Sequence, residues 1–226
     1  MSKLYIVATP IGNLEDITLR ALRILGEVDF ILCEDTRVTK RLLDKYKINT
    51  PTISYHQHSK VVKVQKVIEL LEQGKDLALV TDAGTPGISD PGNKLIAEIY
   101  NTLSDEVEIV PIPGPSAVTV ALSVSGLPTD KFLFLGFLPH KKGRQTAVRK
   151  IVASEYTVVL YESCHRIEKL LGELIDGGGA DLKVVVCREL TKMFESIYRG
   201  APRDILKVLQ SDKKNLKGEF VVVVSK

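Results

Sequence analysis

No stretch of the 226-residue chain approaches the about 18 consecutive apolar residues that cross a bilayer, and the opening MSKLYIVATPIG is too short in apolar length for a signal peptide. A soluble protein without a membrane partner is expected. Cysteine is scarce: Cys33, Cys164 and Cys187 lie far apart without C-x-x-C spacing, which supports neither a disulfide framework nor a zinc site. They read as buried small hydrophobes in a reducing cytoplasm. A strong charge of one sign is also missing, since 31 basic against 28 acidic residues leave a net +3. Overall charge therefore names no nucleic-acid partner. Neither G-x-G-x-x-G nor G-x-x-x-x-G-K-[ST] occurs, so the dinucleotide and P-loop readings lose their specific support. Short-period repeats and low-complexity tracts are lacking too.

At 44% hydrophobic and 26% charged residues, the chain has the makeup of an ordinary folded protein. Short apolar runs recur: LYIVA, FILC, LALV, VEIV, FLFLGF, TVVLY, VVVC and FVVVV. Their near-continuous hydrophobicity is that of strands covered on both faces, and helical patterns separate most of them, so the class is α/β. Two helices are clearly patterned. One has Ser59 as cap, Val61, Val64, Ile68 and Leu71 as a stripe and Gly74 as its stop. The other carries Ile167, Leu170, Leu171, Leu174 and Ile175 and stops at Gly177 to Gly179. PIPGPS at residues 111 to 116 marks a boundary, giving an N-terminal α/β domain of 1–112 with a mostly parallel sheet and a C-terminal α/β domain of 113–226 with a mixed sheet.

Three loops rich in proline or glycine follow three first-half strands: TPIGN, TDAGTPGISDPG and PIPGPS. In an open parallel sheet such loops meet beyond the carboxyl ends of the strands, where ligands of these folds bind. Pro86 and Pro91 lack N–H donors and Asp82 and Asp90 add negative charge, which makes the central loop a poor phosphate cradle. It suits a ligand carrying amines or positive charge. S-adenosylmethionine, with an adenine amine, an ammonium and a sulfonium, is such a ligand; a tight turn with no ligand is the alternative.

LYIVATPIGNLEDITLRAL, CEDTR, VTDAGTPGISDPG, PIPGPSA, GFLP, YESCHRI and RELTK occur in this order along nearly the whole chain. Together they resemble the ribosomal-RNA branch of the tetrapyrrole methylase superfamily, the small-subunit rRNA (cytidine 2′-O)-methyltransferases. The resemblance implies two α/β domains with S-adenosylmethionine in a cleft between them, a homodimer, and small-subunit rRNA or the 30S subunit as partner. It places the cofactor at Pro10 and Ile11, at Gly84, Thr85, Pro86 and Ile88 beside the carboxylate of Asp82, and at Ser116 and Ala117, with Tyr161 and Leu190 from the second domain. Tetrapyrrole-modifying relatives carry G-D-P where this chain has Gly84, Thr85 and Pro86, so the role of that aspartate does not transfer.

Methyl transfer to a ribose hydroxyl is an in-line displacement in which positioning supplies much of the rate, and no metal is needed. The hydroxyl must lose a proton, so a carboxylate or amine base is sought. Asp35 of EDTR is the first candidate, with Glu34 and Lys192 behind it; capping of the next helix by Asp35 or Thr36 is the competing reading. Arg37, Lys141, Lys142, Arg144, Arg166 and Arg188 are the candidate RNA contacts, within clusters that also hold Lys40, Arg41, Arg149 and Lys150. A solvated face, or an inter-domain salt-bridge network involving Glu162, His165, Arg188, Glu189 and Lys192, is the alternative. His56 and His58 lack a nearby third ligand and read as a polar loop or RNA-facing surface rather than a metal site. A methyltransferase of a tetrapyrrole or other small molecule, and a non-catalytic RNA-binding module, remain the competing functions.

Overall fold

In the computed structural model, which describes residues 1–56 and 61–226, the apolar runs of the N-terminal half form one parallel sheet. The chain divides into two units, Met1–Ser116 and Ala117–Lys226. In the first, the elements are β1 (Ser2–Val7), α1 (Leu19–Glu27), β2 (Phe30–Cys33), α2 (Thr36–Lys45), β3 (Thr52–Ser54), α3 (Val61–Glu72), β4 (Leu77–Leu79), α4 (Asn93–Leu103) and β5 (Val107–Ile112). The strand order is β3-β2-β4-β1-β5 and every pairing is parallel.

Both faces of this sheet are covered, which is why its strands read as unbroken apolar runs. Leu4, Leu32 and Leu79 pack with Leu71 of α3 and Leu95 and Ile99 of α4. On the opposite face Val7, Ile31 and Val80 pack with Leu25 of α1 and Leu43 of α2. The helices that follow the neighbouring strands β1 and β4 thus lie on opposite faces, and the carboxyl ends of those strands form a topological switch point. Local signals fix the helix ends: the Thr18 hydroxyl accepts from the Ala21 N–H at 3.0 Å, and Gly74 (φ +79°) donates to the Leu71 carbonyl at 2.9 Å. Ser59, expected to cap α3, and His58 lie outside the described residues.

The second unit contains α5 (Ala117–Ser125), β6 (Phe132–Phe137), α6 (Arg144–Ala153), β7 (Thr157–Ser163), α7 (Ile167–Asp176), β8 (Lys183–Arg188), β9 (Ser196–Gly200), α8 (Pro202–Ser211) and β10 (Glu219–Ser225). Its sheet, ordered β6-β7-β10-β8-β9, is mixed: β6 and β7 are parallel and the other pairs antiparallel. The stripe Ile167, Leu170, Leu171 and Leu174 is wholly buried, whereas Ile175 is only half-buried.

The two compact units meet between Ser116 and Ala117, four residues beyond the end of β5, and the Thr85 hydroxyl donates to the Pro115 carbonyl at 3.1 Å within the first. One expectation is corrected. FLFLGF is not covered on both faces; β6 is an edge strand that exposes Phe132, Leu133, Leu135 and Phe137. The short strands β3 and β9 carried no apolar run to announce them.

Two of the arginines assigned to RNA belong to the interior. Arg144 is 2% exposed. Its Nε donates to Glu173 at 2.7 Å, and both its terminal nitrogens donate to one Glu162 oxygen at 3.2 Å. Arg188 donates to the backbone carbonyls of Lys217, Phe194 and Lys214 at 2.6, 2.9 and 2.9 Å. Arg166 is largely committed as well, pairing with the other Glu162 oxygen at 2.8 Å and with the Leu138 carbonyl at 3.0 Å. These contacts lie inside the second unit. Desolvation of so many charges is tolerated because each fork is filled.

Glu162→Ala takes from buried Arg144 one of its two carboxylates and from Arg166 its ion-pair partner, and the loss expected for breaking a buried ion pair is about 3–5 kcal/mol. Urea unfolding of the variant measures it; a change below about 1 kcal/mol would show that the guanidinium is satisfied without Glu162.

Candidate functional site

The three donor-poor turns do meet. Thr9 and Gly84 form an antiparallel bridge, each N–H donating to the other's carbonyl, at 2.9 and 3.0 Å. The Thr9 hydroxyl donates to the Thr81 carbonyl at 3.0 Å. Gly84 sits at φ +85°, and a Cβ there would lie 3.6 Å from Ile11 Cγ2 and 3.9 Å from the Pro115 carbonyl oxygen. Gly114 likewise lets the last turn approach the first, since a Cβ on it would stand 3.0 Å from Ala8 Cβ. Pro10, Ile11, Gly84, Thr85, Pro86 and Pro115 are thereby gathered beyond β1, β4 and β5. Pro10 and Pro86 are buried and Ile88 is exposed.

Several backbone donors of these turns are already used. The N–H groups of Thr9, Gly84, Gly87 and Ile88 donate to carbonyls of Gly84, Thr9, Pro91 and Thr85. Prolines 86, 91, 111, 113 and 115 have none to offer. An anion would find few donors here, whereas an amine or a cation would find acceptors.

Carboxylates at the ends of β2 and β4 give the region its charge. Glu34, Asp35, Arg37, Ser54, His56 and Asp82 line an open cavity of about 430 Å³. The Asp35 backbone N–H donates to Asp82 Oδ1 at 3.0 Å. Asp35 caps α2 by accepting from the Arg37 N–H at 2.8 Å, and it also holds the Arg37 guanidinium, with Nη2 at 2.6 Å. The Arg37 contacts keep its carboxyl well below the usual carboxylate range. Glu34 moves the other way: burial, then the charges of Asp82 and Asp35, push it up, opposed by His56. Asp90 is raised to about 6, by burial first and then by Glu34 and Asp82. As an acceptor of protons near neutral pH, Asp35 is thus the weakest of the three. The sequence named Asp90 only as a negative charge, because its elevation depends on burial, on Glu34 from another strand end and on the folding of its own loop around Asp82.

The remaining candidates lie on other elements. Ser116 ends the first unit and Ala117 opens α5 of the second. Tyr161, on β7, packs against Phe134 and Phe137 with ring centroids 5.0 and 5.5 Å away. Leu190 is buried directly after β8. Lys192 donates to Glu189 at 3.0 Å and to Glu219 at 2.7 Å. Burial alone would lower it, but these carboxylates outweigh burial and hold the ammonium above its ordinary value, which opposes a role as base. Lys141 and Lys142 are exposed and take part in no ion pair among the described residues. Arg37 projects into solvent but is engaged by Asp35. His56 shares a 2.9 Å hydrogen bond with Ser54, and no metal-holding cluster of His, Cys, Asp or Glu occurs among the described residues.

The family model described as tetrapyrrole (corrin/porphyrin) methylases matches residues 3–205. A protein of Mesorhizobium japonicum named ribosomal RNA small subunit methyltransferase I is 46% identical over 222 residues, covering 98% of this chain and 74% of the relative. A Thermotoga maritima protein of the same name is 42% identical over 225 residues, covering 100% of this chain and 99% of the relative. Among solved structures, diphthine synthase superposes with a TM-score of 0.73 at 16% identity, covering 100% of this chain and 90% of that one. Cobalt precorrin-4 methyltransferase gives 0.71 at 21% identity, covering 98% and 94%. At such identities these two structures speak for the fold alone.

The raised Asp90 makes stability depend on pH. Below about pH 4 its carboxyl is neutral in both folded and unfolded chains, so it contributes nothing. Between about 4 and 6 the unfolded chain releases a proton that the folded chain keeps, and stability falls as pH rises; above 6 the penalty is complete. Asp90→Asn is therefore expected to unfold at higher urea than the native chain at pH 7, with the difference vanishing below pH 4. Equal midpoints at pH 7 would contradict this account of the site.

Proposed function

The chain belongs to the tetrapyrrole (corrin/porphyrin) methylase family, and on that premise we propose that it transfers a methyl group from S-adenosylmethionine to the ribose 2′-OH of a cytidine in small-subunit ribosomal RNA. The observation that carries the reading is the convergence of three proline- and glycine-rich turns, several of whose N–H groups are spent or absent, at the switch point of the parallel sheet. Relatives more than 40% identical along nearly the whole chain bear the name of a small-subunit rRNA methyltransferase, which supports the choice of acceptor.

The donor set fits the cofactor. Backbone carbonyls suit its amine groups, proline and Ile11 side chains supply apolar walls, and the negative field of Glu34, Asp82 and Asp90 favours a cation. When bound, the cofactor supplies an activated methyl group on a sulfonium. The chain positions the acceptor and provides for its proton. Glu34 and Asp90, both held above the ordinary carboxylate range, are better proton acceptors than Asp35, which is fixed as a helix cap and ion-pair partner, or Lys192, which is held charged. Thr85 shapes the turn, because its hydroxyl is committed to Pro115.

The exposed Lys141 and Lys142 make phosphate contacts, and the substrate is the 30S subunit or its rRNA in the cytoplasm. No helix among the described residues is long and apolar enough to cross a membrane. The apolar edge of β6, with Phe132, Leu133, Leu135 and Phe137 exposed, is the surface a second copy would cover in a homodimer.

Purified protein, methyl-labelled cofactor and small subunits from cells lacking the gene test the activity: label is expected in a cytidine 2′-O-methyl group. Label found instead in a porphyrin-type acceptor, or none in RNA, would overturn it. Gly84→Val places a β-branched residue at φ +85° and is expected to weaken cofactor binding at least tenfold by calorimetry. Replacing Lys141 and Lys142 by alanine should raise KM for the subunit and leave cofactor affinity unchanged.

A further inference from the structure

Arg188, drawn inside by three carbonyls, joins two segments that are distant in sequence. The segment after β8 contributes the Phe194 carbonyl, and the 3-10 turn Lys213–Leu216 with its next residue contributes those of Lys214 and Lys217. What the joined segments present outward is unusual. Met193 is 90% exposed and Phe194 64% exposed, and Lys213, Lys214 and Lys217 are all exposed, with no ion pair among the described residues.

The loop bearing this apolar tip is rigidly built. Glu189 and Thr191 both occupy the left-handed region, at φ +53° and +64°, where a non-glycine residue is strained. Contacts hold them there: the Glu189 N–H donates to the Glu219 carbonyl at 2.9 Å, the Glu219 N–H donates to Glu189 Oε1 at 2.9 Å, and the Thr191 N–H donates to Glu195 at 2.6 Å. The Lys192 and Glu195 N–H groups close the turn on the carbonyls of Glu189 and Lys192. A loop held by so many internal hydrogen bonds, yet leaving a phenyl ring and a thioether in water, is shaped to offer them to something else.

We propose that Met193 and Phe194 form a stacking platform for an unstacked base of the RNA substrate, with Lys213, Lys214 and Lys217 neutralising the adjoining phosphates. Base–aromatic stacking combined with unpaired cations is the general chemistry of single-stranded nucleic-acid binding. A nucleotide in structured rRNA must leave its stack before its ribose can be presented, and an ordered apolar tip offers the displaced base a replacement surface. The proposal rests on the RNA reading above and deepens it by naming a contact surface that none of the sequence motifs announced.

The chain contains no tryptophan, so Phe194→Trp introduces a single indole at the platform. In the full-length protein with cofactor, saturable quenching of its emission by a small-subunit rRNA fragment is expected, weakening as salt rises. Phe194→Ala should lower RNA affinity about tenfold, at the lower end of what stacking one base contributes, with cofactor affinity and thermal midpoint unchanged, and Phe194→Trp should retain binding. Changing Lys213 and Lys214 to alanine should reduce the slope of log affinity against log salt by about 1.4. Emission indifferent to saturating RNA, together with native affinity in Phe194→Ala, would overturn the platform while leaving the RNA reading intact. Emission that changes with protein concentration in the absence of RNA would assign the tip to a second copy and also overturn it. A native chain that binds cofactor but no rRNA would remove both readings at once.

Discussion

The pair of backbone hydrogen bonds joining Thr9 to Gly84 is the constraint on which the first unit's site depends. Parallel neighbours such as β1 and β4 normally part at their carboxyl ends, each leading to a helix on its own face of the sheet. Here the bridge draws the chain after β1 back across the chain after β4, and the Thr85 hydroxyl then fastens the turn after β5 to the same place. Gly84 permits the bridge because its φ of +85° is one that a side chain would strain. These bonds use several N–H groups of the turns, and the prolines have none to add. The preference for a cation over an anion is therefore set by backbone accounting. The carboxylates of Glu34, Asp82 and Asp90 add to that preference.

In the second unit the organising groups are buried arginines. Arg144 and Arg166 meet on the two oxygens of Glu162, and Arg188 spans three carbonyls. The planar fork suits these tasks, since several donors in fixed directions satisfy acceptors that a lysine ammonium could not reach together. The consequence is positional. Arg166 holds the Leu138 carbonyl, just before the segment with Lys141 and Lys142, while Arg144 anchors the residue just after it. Arg188 does the same for the segments with Phe194 and Lys214. Interior arginines thus place exposed lysines, and the two kinds of basic residue have separate duties.

This separation also marks where the sequence was legible. LYIVA, LALV and FVVVV declare themselves because a strand covered on both faces needs apolar residues at every position. TIS and SIYRG do not, being short strands at sheet edges, and FLFLGF misleads because an edge strand exposes the same residues a central strand would bury. The turns after β1, β4 and β5 were readable from proline and glycine alone, since their donor poverty is local. Arg144 and Arg188 were not, because whether a long cation faces water or the core is decided by partners such as Glu162, Glu173 and the Lys217 carbonyl, 18 to 29 residues away. Asp90 was obscure for the same reason: its elevated pKa comes from burial, from Glu34 at another strand end and from Asp82 across its own loop.

The modest net charge of +3 conceals a division of labour. Glu34, Asp82 and Asp90 give the first unit's hollow a negative field that welcomes a cation and repels a phosphate. The unpaired Lys141, Lys142, Lys213, Lys214 and Lys217 all belong to the second unit, while the carboxylate cluster belongs to the first. The carboxylates that favour a cation and the lysines proposed to meet phosphates thus come from different stretches of the chain, although exposed Lys40 and Arg41 show that the first unit is not uniformly acidic.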